Sequence, residues 1–441
     1  MVNKSPGRKL IGPPVILQDW DTEAEELTSK YWELFLDLLL VALSSALADA
    51  LKTNLTWLGF GEFAVLYLVS INGYTLYTPQ LTTRFEDSTL YHSVVLFPYL
   101  LGIAITSVNA SFSTIRPYAF GNLLQRLVLL CMYGGIYYHI PRARAYCTHV
   151  GLAASLAAAM LLVAIAVPAW GPAMLTAVAL LEFLALFVQS RILPKEGFVP
   201  VNIEHVRDRL GCLVLVMLGE TVVAATIKVR TFAAVGSTVA DQNRYYWTLG
   251  LSFLLLFSFT LLYFHMQPAP KDNAMRQSRI RGIMLYAVHK LLGMALLGVG
   301  VGVRLMVEAV VRGVPMSEID ATVMSLSVGS SLTMLFAVRL THYGAKYMNN
   351  SDPPRIKMLK DCWWGTFIAF VTAPFLLYFA NITDPVASAA VYAGLIASLC
   401  VIESGFTHLL ADFLVIMDEP SERDPLQQAS GGGGYQSIED R

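Results

Sequence analysis

Glu33 and Asp37 stand four residues apart in the run Trp32-Glu33-Leu-Phe-Leu-Asp37-Leu-Leu-Leu-Val41, so a helix puts both carboxylates on one face. Two acids so placed repel unless a cation lies beside them. Such a pair can exchange protons or bind a cation. Alternatively, it forms a polar seam held by an arginine of a neighbouring helix. A second focus is His205-Val-Arg207-Asp208-Arg209-Leu-Gly211, which leads into Leu218-Gly219-Glu220-Thr221. His205 and Arg209 again share a face. Glu220 follows Arg209 by eleven residues, about 16 Å along a helix axis, which sets a carboxylate near the middle of a membrane span. Gly219 beside it is expected to admit a close helix neighbour.

Other ionisable residues fall at helical positions within apolar runs. The segment Thr83-Arg84-Phe85-Glu86-Asp87 precedes Tyr91-His92. The natural partners of Arg84 are Glu86, Asp87 or the Glu33/Asp37 face. His92 either titrates near neutral pH or simply hydrogen-bonds at the interface. Arg126 enters a span by about a third and must pair or reach water, with Glu182 or Glu220 as a static partner. Tyr286-Ala-Val-His289-Lys290 buries His289, while Lys290, Arg304 and Arg339 are expected to snorkel towards the nearer surface.

The elements that carry these residues are long and apolar. The chain has 441 residues, 55% of them hydrophobic and 14% charged, against about 25% charged in soluble proteins. A span needs about 20 apolar residues. The sequence offers twelve, at 33–51, 57–79, 90–109, 118–139, 150–168, 173–192, 209–227, 245–265, 284–304, 322–342, 363–381 and 386–406, the last free to run on to Met417. Only Ala-Trp-Gly-Pro separates 150–168 from 173–192, so these are either a tight hairpin or one broken element. The expected fold is an all-α integral membrane protein of about twelve transmembrane helices. Its parts are a tail (1–32), a six-helix half (33–192), a connection (193–208), a second half (209–417) and a flexible tail (418–441) with four consecutive glycines.

Charge placement orients the chain. With the N-terminus cytoplasmic, the inner connections and both tails hold 20 Lys and Arg, and the outer connections hold 6. That bias predicts cytoplasmic termini. The sequons at Asn54 and Asn109 fall on the outer side as glycosylation candidates, and Asn381 lies too near the membrane to serve. No cleavable signal peptide is apparent in residues 1–32. The five cysteines lie in spans or on the inner side and lack zinc spacing, so neither a disulfide framework nor a metal site is expected.

Spans one and seven align without a gap, Glu33 over Asp208 and Ser45 over Glu220, and His92 and His289 then both fall in the third span of their halves. A repeat of six spans makes the halves parallel, with a cavity between them lined by spans one and seven. Gly298-Val-Gly300-Val-Gly302 lies inside a span and reads as helix packing, not as a nucleotide loop.

Four ordered motifs resemble the low temperature requirement A family of membrane proteins. They are Glu33-Leu-Phe-Leu-Asp37-Leu-Leu-Leu-Val41, Arg84-Phe85-Glu86-Asp87 with His92, the His205, Arg209, Gly211 and Leu218-Gly219-Glu220 series, and Tyr286 to His289. Asp208 replaces a Glu of the family pattern, Ser93 stands where an Arg often follows the His, and span one is Leu-rich instead of Phe-rich. The resemblance covers roughly residues 30–400 and strengthens the site residues more than it defines an activity.

The leading expectation is a transporter or channel for a small solute or ion, with proton coupling through Glu33, Asp37, His92, Arg126, Arg209, Glu220 and His289. Arg84, Glu86, His205 and Asp208 would gate or pair charges. The alternatives are a structural or regulatory membrane protein with paired charges and an intramembrane enzyme acting on lipid. No Ser/His/Asp order, zinc-helix motif or phosphate loop is found, so no catalytic residue, metal or cofactor is assigned. The partners implied are membrane lipid and an unknown small solute or ion, not nucleic acid, and a homo-oligomer stays open.

Overall fold

A backbone in hydrocarbon must satisfy its own N–H and C=O groups, and apolar runs of this length do so as helices. The computed structural model describes residues 14–17, 31–86, 90–194, 197–227, 239–268, 272–343 and 353–418. The expectations for Asp87, for most of the N-terminal tail and for the chain beyond Asp418 fall outside these residues.

Twelve helices of 19 residues or more occur among the described residues: α1 Tyr31–Thr53, α2 Trp57–Thr75, α3 Leu90–Val108, α4 Ile115–His139, α5 Arg144–Ala166, α6 Gly171–Ile192, α7 Ile203–Ile227, α8 Val239–His265, α9 Arg279–Arg312, α10 Glu318–Tyr343, α11 Pro354–Ala380 and α12 Pro385–Asp418. Nine of them are long and apolar enough to cross a membrane by length and composition. The others are α2 and α3, of 19 residues each, and α7, which carries Glu204, Arg207, Asp208, Arg209 and Glu220. The doubtful pair α5 and α6 forms a hairpin, closed by a 3-10 turn at Pro168–Trp170. As expected, α12 runs on past 406 as one long helix.

The second span departs from expectation. α2 does not run evenly to residue 79; it widens into a π-helix at Leu76–Thr82 with Pro79 inside it. Proline has no N–H to give and breaks the regular ladder. The released carbonyls find side chains: Pro79 O accepts from Tyr286 OH (2.9 Å) and Thr83 Oγ1 (2.8 Å), and Gln80 O from Arg84 Nη1 (2.8 Å). A two-residue antiparallel ribbon, Val15–Ile16 (β1) against Phe85–Glu86 (β2), ties the N-terminal segment to this turn.

The packing partners recur in the two halves. α1 packs on α2 and α3, α2 on α6, α3 on α4, α4 on α5 and α5 on α6. Likewise α7 packs on α8 and α9, α8 on α12, α9 on α10, α10 on α11 and α11 on α12. Between the halves, α1 meets both α7 and α9, and α9 also touches α2 and α6. α9 has 34 residues and spans about 51 Å, far more than a 30 Å hydrocarbon core. Ser278 caps its start, Oγ accepting from Arg281 N (3.2 Å), and Gly313 ends it in the left-handed conformation (φ 67°).

Glycine sets a close helix crossing within the first half. A Cβ on Gly121 would stand 2.6 Å from the Gly102 carbonyl oxygen and 2.6 Å from Thr106 Oγ1, so α3 and α4 meet backbone to backbone there. Gly121→Ala is therefore expected to lower stability by about 1–3 kcal/mol, read as a fall in melting temperature in detergent. Gly134→Ala on the same helix, with open space around it, serves as the neutral control. Equal melting of both variants would refute the close crossing.

Candidate functional site

The first cluster joins α1, α2 and α7. Asp37 Oδ1 accepts from Arg209 Nη2 (2.5 Å) and from Tyr74 OH (2.8 Å), and Arg209 Nη2 also reaches the Tyr74 oxygen (3.0 Å). One turn away, His205 Nε2 lies 3.1 Å from Glu33 Oε1. All five side chains are buried. α7 begins at Ile203, six residues before the expected span, so His205 and Arg209 do lie on one helical face. Asn202 helps to fix that start, its Oδ1 accepting from His205 N (3.0 Å) while its own N–H reaches Thr83 O (3.0 Å). The cation that the two acids of α1 require is thus supplied by the partner half. His205 Nδ1 and Arg209 Nε and Nη1 are buried without hydrogen-bond partners among the described residues.

The second cluster closes the other end of the same seam. Arg304 of α9 bonds Asp49 of α1 and Glu220 of α7, and its Nη2 reaches Ser45 Oγ (3.1 Å). Beyond it, Lys52 of α1 bonds Glu308 of α9. Glu220 is buried and its Oε2 has no hydrogen-bond partner among the described residues. Asp49, by contrast, has a side chain 63% exposed, so this cluster reaches the surface. Glu33 and Asp49 are sixteen residues apart, about 24 Å along α1. Between the clusters the seam is apolar except where Ser44 Oγ approaches Met217 Sδ (3.4 Å).

A third group braces the first half. Arg126 Nε and Nη2 grip Glu182 (2.9 and 2.7 Å), Nη1 donates to Asn122 Oδ1 (3.0 Å) and Nη2 to Val69 O (2.6 Å). Its equivalent in the second half joins the same helix positions, Arg339 of α10 to Glu403 of α12. Each half also has a tyrosine–histidine bond of 3.0 Å from its second helix to its third, Tyr77 OH to His92 Nε2 and Tyr263 OH to His289 Nε2. His289 Nδ1 faces Leu285 O (2.8 Å), so both of its ring nitrogens are engaged.

Several expectations need correction. Lys290 does not snorkel: it is buried, and Nζ donates to Asn72 Oδ1 of the first half (2.7 Å). Arg304 and Arg339 do not snorkel either, because neighbouring helices cover these span ends and supply Asp49, Glu220 and Glu403. Gly219 faces open space; the close approach at Glu220 is made by Gly300, whose Cβ would stand 2.5 Å from Thr221 Oγ1 and 3.2 Å from Glu220 Oε2. Arg84 does not meet the acids of α1, which α7 has taken; besides bonding Gln80 O it lies over the Tyr146 ring at 5.2 Å. Asp208 is exposed beside Arg207 and stands off the cluster, and Glu86 contributes its backbone to β2.

Tyr74, Asp49, Arg304, Lys290 and the Arg339–Glu403 pair were not among the expected site residues. Three of them carry a signal. Asp49 continues the row of fours through Glu33, Asp37 and Ser45, and Lys290, Arg304 and Glu308 fall within about 40° on one face of α9. Tyr74 gave none, since its place depends on the packing of α2. Asn54 and Asn109 lie at helix junctions and are part-buried, Asn54 Oδ1 accepting from Thr56 Oγ1 (2.8 Å) and Asn109 Nδ2 donating to Ile105 O (2.8 Å). Among the described residues no group of three His, Cys, Asp or Glu is arranged to hold a metal ion.

The family model described as bacterial low temperature requirement A protein matches residues 28–401 of this chain. No curated protein and no solved structure matches it.

The Arg126–Glu182 pair offers a direct test of how these charges are held. Arg126→Gln leaves a buried carboxylate without its cation and is expected to cost about 3–5 kcal/mol, whereas a neutral pair in its place costs far less. Arg126→Gln should therefore fail to accumulate or melt early, and Arg126→Gln/Glu182→Gln should recover most of the loss. A double variant no better than the single one would remove the pair from the account.

Proposed function

The chain belongs to the low temperature requirement A family, and from that premise we infer that it is a multipass transporter or channel for a small cation, with protons as the coupling or transported species. The observation that carries this reading is the seam along α1, α7 and α9. It has a polar cluster at each end and an apolar stretch between them. Glu220 and Asp49 share the one guanidinium of Arg304, and Glu33 faces a histidine whose charge depends on its proton. A path so lined favours cations over anions.

In this reading all twelve long helices cross the membrane and the two halves are parallel repeats. The recurrence of packing partners, of the arginine–glutamate pair and of the tyrosine–histidine bond supports the repeat. The Lys and Arg distribution argues for cytoplasmic termini, so the Glu33/Asp37 cluster closes the inner end and the Arg304 cluster the outer end. Alternating access then opens one cluster while the other stays bonded. No catalytic step is assigned.

One observation favours a second reading. The buried acids of the seam are each met by a base, which is what a structural or regulatory membrane protein needs if its charges only hold the bundle together.

Glu220→Gln in proteoliposomes with a pH dye and a panel of monovalent cations separates the two. Transport predicts cation-linked or proton-linked flux in the unaltered protein, lost by tenfold or more in the variant while its melting temperature in detergent stays close to that of the parent. Unchanged flux would sink the pathway through Glu220. Lost stability without any flux in the parent would favour the structural reading.

A further inference from the structure

We propose that the cavity between α1, α2, α9 and α10 holds one acyl chain of a membrane phospholipid. It encloses about 700 Å³, with Leu51, Trp57, Met294, Leu326 and Met334 among its walls. Ligand pockets occupy roughly 300–1,000 Å³, and an apolar cavity of only about 150 Å³ already takes up a small hydrocarbon. Both halves build it, the first through α1 and α2 and the second through α9 and α10.

The lining decides the chemistry. None of the described lining residues is charged. Of their four hydroxyls, Thr56 Oγ1 caps α2, accepting from Gly59 N (3.1 Å) and donating to Asn54 Oδ1 (2.8 Å), and Thr322 Oγ1 donates to Glu318 O (2.7 Å). Ser327 and Ser330 are the other two. An enclosed water needs several polar partners and a buried ion needs a counter-charge, so these walls suit neither. A bilayer core supplies hydrocarbon, and hydrocarbon is what they suit.

The shape selects a chain. Ile319 and Met334, the outermost lining residues on α10, are fifteen residues apart, about 22 Å along the axis. One leaflet of a core about 30 Å thick is about 15 Å deep, so an extended chain fits from the surface to the midplane. The cavity begins at the α1–α2 junction, where the exposed Trp57 suits the membrane–water boundary, and it ends within the span of α10. Phe60 and Ile319 are also exposed, which leaves a side open for a chain to enter from the leaflet. Gly298 draws α9 close to α10, since a Cβ there would stand 2.5 Å from Ser327 Oγ. A chain seated in this space touches both halves at once, unlike the lipid around the outer surface.

The test uses the purified full chain in mild detergent with a phosphatidylcholine whose palmitoyl chain carries a diazirine near its middle. After illumination and digestion, mass spectrometry should find Met294, Leu326 and Met334 labelled about fivefold or more above Phe97 and Leu162, which are exposed elsewhere. Ala295→Phe/Ser330→Phe fills the cavity and should lower both that labelling and the phospholipid retained in native mass spectra by about fivefold or more. Even labelling of all exposed apolar residues of the unaltered chain overturns the proposal, whether or not the filled variant folds. Detergent retained in place of phospholipid, or retention unchanged in a folded filled variant, overturns it as well.

Discussion

A carboxylate or guanidinium in hydrocarbon persists only where a counter-charge meets it, and α1 carries three acids on one row at the boundary between two helix groups. Nothing within α1 answers them, since its one base, Lys52, bonds Glu308 of α9. The bases come from α7 and α9, so satisfying the acids of the first helix requires the second half of the chain to be in register with the first. Register errors of one residue would rotate α1 by about 100° and turn the buried Glu33 and Asp37 away from their bases. The ion pairs therefore specify the join between the halves more strictly than apolar packing could, because hydrocarbon does not discriminate one leucine face from another.

The ion pairs differ in what they connect. Arg126–Glu182 and Arg339–Glu403 each lie within a half and join its fourth and sixth helices. Asp37–Arg209, Glu33–His205, Asp49–Arg304 and Glu308–Lys52 cross from one half to the other. Pairs of the first kind stiffen a half without holding it to its neighbour. Pairs of the second kind are the ones that any relative motion of the halves must break. Lys290 belongs with them, since its bond to Asn72 also crosses the join.

The helices were largely legible because a run of about 20 apolar residues has few alternatives. The Glu33/Asp37 row and the His205/Arg209 face were legible too, through i,i+4 spacing alone. What sequence could not supply was depth. Lys290 and Arg304 look like residues near the ends of spans, yet α9 outruns the bilayer and is covered by its neighbours along its length, so position in the span did not report distance from water. The π-turn at Leu76–Thr82 had a visible cause in Pro79, but that Tyr74 and Tyr77 would be aimed at Asp37 and His92 depended on where the widened turn released them. Gly219 misled for a related reason: a glycine marks a close approach only on the face that has a neighbour, and that neighbour is Gly300.

Charge balance along the seam argues for the sign of what it can accept. At one end Arg209 is committed to Asp37, and Glu33 meets an imidazole that is cationic only when protonated. At the other, Glu220 and Asp49 divide one guanidinium, and a buried oxygen of Glu220 has no donor among the described residues. In the proposed transport reading the Arg304 end can take up a further positive charge at that oxygen without breaking a pair, and an anion at either end must first open a carboxylate–base contact. The proposed transport reading therefore favours a proton or small cation over an anion. The excess of Lys and Arg in the connections does not oppose this, because those residues govern insertion and lie off the seam.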